Sequence, residues 1–213
     1  MLQISEFLPG ILLAYSAFLL AIVSPGPNFI AVIGTSMSAG RPSGVALAFG
    51  VAFGSLTWAL LTVVGLTTLL TLYASALTAI KIFGGLYLLW LAYKSFKSAA
   101  ARQDLKAQKM AGEKRTLTGF LLRGYLVQIT NPKAALAWIA IISLGMQNGA
   151  PLWVAATIVL GTFVLSVVVH VLYAIAFSTP LMVRLYGRAR RGIQFTLGSF
   201  FAFAGMRLLT RSN

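Results

Sequence analysis

The side chains in this sequence that are able to do chemistry gather at two interruptions of apolar sequence, Ser24-Pro25-Gly26-Pro27-Asn28 and Thr130-Asn131-Pro132-Lys133, and at one histidine, His170. Proline removes a backbone donor and clashes with the preceding turn, so an apolar helix must break at both places. Ser24 before Pro25, and Asn131 before Pro132, each read as an N-cap followed by proline in the first turn of a new helix. Such a start aims free N–H groups and the positive end of a helix dipole into the protein, which makes a site for an anion. Lys133 either adds a full positive charge to that site or extends its ammonium to a headgroup region. Asn28 either faces a ligand or satisfies backbone groups that the prolines free, and Gln128 is a weaker case of the same kind. The binding candidates are therefore Ser24, Pro25, Gly26, Pro27, Asn28, Asn131, Pro132 and Lys133.

Composition says what surrounds these residues. Of 213 residues, 59% are hydrophobic and 9% charged, against roughly 25% charged in a soluble domain. The chain is an integral membrane protein, and inside a bilayer a non-helical segment survives only where protein buries it or where it lines a cavity. With no cysteine, disulfides and thiolate metal sites are excluded. Glu6, Asp104 and Glu113 are the only acidic residues. They cannot supply the clustered Asp, Glu and His that a membrane-embedded enzyme would need, so no catalytic residue, metal or cofactor is expected. The same scarcity bears on the ligand. A buried cation needs a negative partner, which favours a neutral zwitterion such as an amino acid, its carboxylate on the anion site. By elimination His170 is the proton-coupling candidate, since it titrates near neutrality and intramembrane ionisable residues tend to mark ion paths; the alternative is a packed, hydrogen-bonded histidine.

The elements that must position these residues follow from apolar runs of about 20 residues, the length that spans a bilayer. Six spans are expected, over residues 7–38, 44–72, 80–93, 119–144, 151–177 and 193–209. The first is too long for one straight helix and the fourth is interrupted, so both are broken at proline. Residues 40–42 read as a turn, 94–115 as a polar, Lys-rich loop with helix in part of it as the alternative, and 178–192 as a basic connection. Met1 to Phe7 holds no Lys or Arg, so no cleaved signal peptide is expected. Thirteen of the 17 Lys and Arg fall in connections on one side, which puts the basic loop at about 94–118 in the cytoplasm and both termini outside. The net charge of +14 is then an orientation signal and not a nucleic-acid footprint.

The breaks fall in the first and fourth spans, dividing a single transmembrane domain into repeat one, about 1–97, and repeat two, about 119–213. Pro25 and Pro132 are 107 positions apart, as are Gly54 and Gly161; an offset of 113 relates Gly85 to Gly198 and Lys94 to Arg207. Repeats with an odd number of spans insert in opposite orientations. The fold class expected is an all-α polytopic membrane protein of six transmembrane helices in two inverted three-helix repeats, a design of secondary transporters whose interrupted helices hold the binding site near the midplane. Gly50-Val-Ala-Phe-Gly54 has the spacing that lets helices approach closely, either within the chain or in a homodimer.

Ser24-Pro25-Gly26-Pro27-Asn28, Gly40-Arg41, Gly44, the Gly50/Gly54 pair with Trp58-Ala-Leu-Leu, Gly65-Leu66, Gly84-Gly85-Leu-Tyr-Leu-Leu-Trp-Leu and Asn131-Pro132-Lys133 together resemble the LysE/RhtB family of bacterial amino-acid exporters. The resemblance covers nearly the whole chain. It implies a carrier in the bacterial inner membrane that exports amino acids or close derivatives, of the homoserine, threonine or leucine kind, in exchange for protons. Pro25, Gly26, Pro27, Asn131, Pro132 and Lys133 match the family pattern. Some members carry an acidic residue after the second-span glycine where this chain has Ser55, a departure that argues further against a basic substrate. Two other readings stay open: a passive channel built on paired half-helices, and an exporter of basic amino acids.

Overall fold

A computed structural model describes residues 2–24, 26–72, 76–100, 116–146 and 150–210; Pro25, Asp104, Glu113 and most of the basic loop lie outside them. The described residues form eight helices and no strand: α1 Leu2–Val23, α2 Pro27–Ala39, α3 Arg41–Leu72, α4 Ala76–Ala100, α5 Leu117–Ile129, α6 Pro132–Gly145, α7 Leu152–Ala176 and α8 Pro180–Thr210. The protein is all-α, as the sequence requires. Ser5–Val23, Arg41–Gly65 and Leu152–Ala176 are each long and apolar enough to cross a membrane, and α5 with α6, bent by 64° at their junction, makes a fourth such unit. Four of the six expected crossings are matched in this way, with α4 and α8 outside that count.

Two stretches read as connections are helical. α4 runs on to Ala100, so Lys94 and Lys97 stand on a helix, and α8 begins at Pro180 and carries Arg184, Arg188 and Arg191 on exposed positions. Long basic side chains cover apolar surface with their stems while the charge stays in water, so charge density here marks a helix face and not a loop. Pro180 starts α8 where its missing N–H costs nothing. The turn at residues 40–42 is shorter than expected: Gly40 alone, at φ +85°, separates α2 from α3, and Arg41 is already helical.

Glycine decides how closely the helices approach. A Cβ on Gly50 of α3 would lie 1.9 Å from the Leu121 carbonyl oxygen, and one on Gly124 of α5 would lie 2.1 Å from that of Leu47. Backbone meets backbone from both sides, an approach only glycine permits. Gly54 continues the seam against Gln128, and Gly161 of α7 packs on Tyr15 of α1. The close-packing reading of Gly50 and Gly54 therefore holds within the chain; these glycines are spent there and do not offer a homodimer contact. Between α4 and α8 the contacts are reciprocal. A Cβ on Gly85 would lie 2.6 Å from Leu209 Cγ, and one on Gly198 would lie 2.8 Å from the Phe96 ring. The offset of 113 that relates Gly85 to Gly198 also relates Phe96 to Leu209.

A further apolar cluster joins α1, α6 and α7 through Phe7, Ile11, Ala14, Phe18, Ile142 and Ile158. Gly124→Val is expected to lower the thermal stability of the detergent-solubilised protein by about 1–3 kcal/mol, the usual cost of overpacking. Gly34→Ala, at a position with nothing within 4 Å, serves as the neutral control. Equal melting temperatures for the two variants would refute the seam's importance.

Candidate functional site

Both breaks lie where the sequence puts them, but they are built differently. α2 starts at Pro27 with Gly26 as its N-cap, extended at φ −156°, and without a side-chain cap. Ser24 is thus not the cap expected of it. The residue before a proline is driven out of helical geometry, so Gly26 stays extended and the helix waits for the later proline. Ser24 instead closes α1, its N–H donating to the Leu20 carbonyl at 3.0 Å. At the second break the expectation holds: Asn131 caps α6, its side-chain oxygen accepting from the Lys133 N–H at 3.0 Å, and Pro132 is the first helical residue. The helix starts therefore pair Pro27, not Pro25, with Pro132.

The second residue of each half-helix reaches across to the other break. Lys133 extends its ammonium to the Ser24 carbonyl, 2.8 Å away, at the end of α1. Asn28 donates to the Gln128 side-chain oxygen near the end of α5 and accepts from the Asn131 amide at 3.3 Å. Lys133 does not snorkel outward; it points inward, over Gly26. A Cβ on Gly26 would lie 3.3 Å from both Cδ and Nζ of Lys133, so the space a larger residue would fill there is taken.

Neighbouring helices hold the remaining groups. The Trp58 indole donates to the Gln128 backbone oxygen at 3.2 Å, the Tyr87 hydroxyl to the Lys133 backbone oxygen at 2.8 Å, and the Trp138 indole to Ser55 Oγ at 3.2 Å. Gln128, read from sequence as the weaker candidate, is buried at the centre of the network. Ser55 and Tyr87 stood out in the sequence only through the family pattern and Trp138 not at all, and these contacts join partners 46 to 83 positions apart.

Two cavities meet at the breaks. The inner one, of about 40 Å³, is bounded by Phe18, Asn28, Gln128, Lys133, Trp138 and His170 among others. At roughly 10–15 Å³ for each water it admits only a few waters, so a larger ligand must widen it. The outer one, a vestibule of about 540 Å³, is lined by Lys94, Lys97, Tyr186, Arg190 and Gln194, and shares Ser24, Gly26, Phe29, Asn131 and Lys133 with the inner cavity. Among the described residues neither lining contains Asp or Glu. Glu6, the one acidic residue described, is exposed near the start of α1. Away from the vestibule the inner cavity is closed by the packing of Phe18 against Trp138, ring centres 5.4 Å apart, and by the apolar cluster beyond them.

His170 also lines the inner cavity, and is buried with its Nδ1 2.8 Å from the Ser166 carbonyl oxygen. A carbonyl only accepts, so Nδ1 carries the proton and Nε2 is left as the ring's acceptor. Of the residues singled out by sequence, Ser24, Gly26, Asn28, Asn131, Lys133 and His170 thus line one cavity, Pro27 and Pro132 line the vestibule, and Pro25 lies outside the described residues.

Broken helices that bring polar groups and a single cation to a cavity inside an apolar bundle define a membrane transport protein. The sequence model of the LysE type translocators matches residues 19–212, and the chain belongs to that family. It is 31% identical over 195 residues to the threonine efflux protein of Salmonella typhimurium, covering 90% of this chain and 93% of the relative. It is 30% identical over 202 residues to the membrane protein YahN of Escherichia coli, covering 95% and 90%. Over 119 residues it is 29% identical to the leucine efflux protein of Klebsiella pneumoniae, covering 56% and 55%. No solved structure matches the chain.

Asn28 and Gln128 are expected to behave as one unit. In a double-mutant cycle on thermal unfolding, Asn28→Ala and Gln128→Ala should couple by about 0.5–3 kcal/mol, the range for side chains sharing a network. Additive losses would show that the contact contributes nothing.

Proposed function

We propose that the chain is a secondary transporter of the bacterial inner membrane that exports neutral amino acids or close derivatives from the cytoplasm in exchange for protons. The observation that carries this reading is the position of Lys133: its ammonium stands where an acid-free inner cavity meets a basic vestibule, beside the uncapped start of α2. A carboxylate entering from the vestibule meets a full charge and a helix N-terminus together. Relatives that are named threonine and leucine efflux proteins support export of such compounds. The lack of any carboxylate in either lining speaks against a lysine- or arginine-like cargo. The apolar closure beyond Phe18 and Trp138 favours a carrier that alternates over a continuously open pore.

Six crossings in two inverted repeats, with both termini outside and the basic loop in the cytoplasm, fit this reading. The vestibule then opens to the cytoplasm, flanked by the Lys- and Arg-bearing ends of α4 and α8. The reciprocal Gly85–Leu209 and Gly198–Phe96 contacts are those that a twofold-related pair of repeats would make. His170 is the proton carrier in this scheme. Held as the Nδ1–H form by Ser166, it offers Nε2 as a base in the wall of the substrate cavity.

Efflux from preloaded proteoliposomes under an imposed pH gradient tests the proposal. Release of a neutral amino acid such as threonine or leucine should be saturable, gradient-dependent and blocked by competing neutral amino acids. Fast, unsaturable release indifferent to the gradient would replace the carrier by a channel, and release of lysine alone would replace the substrate class. His170→Gln should weaken the gradient dependence; an unaltered response would reduce His170 to packing. Pro25→Ala combined with Pro132→Ala should abolish flux while the protein still inserts, and wild-type flux would remove the breaks from the site.

A further inference from the structure

Resting on the export reading above, we infer that the site recognises its substrate through the carboxylate alone, so that 2-hydroxy acids, which lack an amino group, are carried as well as amino acids. The distribution of charge and of committed acceptors carries this. Among the described residues Lys133 is the only Lys or Arg in the lining of the inner cavity, and the titratable groups that share the two linings with it are His170, Lys94, Lys97, Tyr186 and Arg190. None of them is an acid. A bound amino acid brings a carboxylate that pairs with Lys133 and an ammonium that meets no counter-charge, and a buried charge without a partner is costly. A 2-hydroxy acid brings the carboxylate only, and the pair it forms with Lys133 is neutral.

The neutral acceptors offset this only in part, since His170 Nε2 carries no charge and each amide oxygen of the breaks already accepts one hydrogen bond from within the network. Gln128 Oε1 accepts from Asn28, Asn28 Oδ1 from Asn131, and Asn131 Oδ1 from the Lys133 N–H. The Ser24 carbonyl holds the Lys133 ammonium at 2.8 Å and becomes free only when that ammonium turns to a substrate carboxylate. An ammonium is therefore tolerated at the carbonyl end of α1, while the carboxylate has dedicated receptors in Lys133 and the uncapped start of α2. The approach favours the same group. Lys94, its ammonium 4.3 Å from the centre of the Trp90 ring, together with Lys97 and Arg190, gives the vestibule a positive field that no acid among its described lining residues offsets.

The wild-type protein tests this without any variant. Proteoliposomes are preloaded with labelled leucine or with 2-hydroxyisocaproate, in which a hydroxyl replaces the amino group. Leucine methyl ester, which lacks the free carboxylate, is the competitor of opposite kind, and protein-free liposomes correct for leak of the weak acid. The hydroxy acid should be released saturably and should inhibit leucine efflux at concentrations within about tenfold of unlabelled leucine, a difference of 1.4 kcal/mol or less. The ester should neither compete nor be carried. Lys133→Met should abolish both fluxes and Lys133→Arg should retain both in part, with unchanged elution in detergent as the check on folding. Leucine flux without transport of, or competition by, the hydroxy acid would overturn the inference and leave the export reading standing. Hydroxy acid flux with no neutral amino acid carried would overturn the export reading and, with it, the inference as stated. Failure of both would overturn both.

Discussion

The structure depends on one exchange between its two halves: the ammonium of Lys133, at the start of α6, lies on the carbonyl of Ser24, at the end of α1. Each group is a liability alone. A carbonyl at the end of a helix has no partner within it, and a buried unsatisfied group costs about 1–3 kcal/mol; a lysine without a carboxylate costs more. Placed together, they satisfy each other in a chain that has almost no acidic residue to spend. The amide chain Gln128–Asn28–Asn131 does the same for the other break, and Trp58 adds a second donor to the Gln128 backbone oxygen, which also accepts from the Asn131 N–H. Asn131 caps the second break locally, but side chains of both breaks also bond across to the other.

The rest of the bundle is held by a different kind of contact. Along α3 and α5, and along α4 and α8, glycine lets helices meet at distances that any side chain would prevent. Such seams have no alternative packing nearby, because a closely packed interior does not deform continuously. Hydrogen bonds at the breaks are different, since water or a polar ligand can replace each partner in turn. Rigid seams and exchangeable polar contacts thus lie side by side at the breaks.

Charge is arranged as consistently as packing. Among the described residues no acid lines either cavity, and basic ones stand on the helix ends around the vestibule and at the junction itself. In the proposed function the vestibule attracts a carboxylate, the junction pairs with it, and the inner cavity, bounded by Phe18 and Trp138, offers apolar surface to the rest of the substrate. A family of translocators whose relatives include threonine and leucine efflux proteins accords with a site of that character.

Much of this was legible in the residues taken singly. Apolar composition dictates a membrane protein, proline at 27 and 132 dictates two broken helices, and glycine spacing at 50 and 54 marks a close seam, because hydrophobicity, ring geometry and the lack of a Cβ act wherever the residue is placed. The extent of α4 and α8 was not legible, since lysine and arginine on a helix face give the same composition as a loop. Which of two prolines opens α2, the inward course of Lys133, the centrality of Gln128 and the vestibule were decided by tertiary structure alone. Lys133 and Ser24 are 109 positions apart and Asn28 and Gln128 are 100 apart, and no local pattern encodes which of the few polar groups in an apolar chain will be the one within reach.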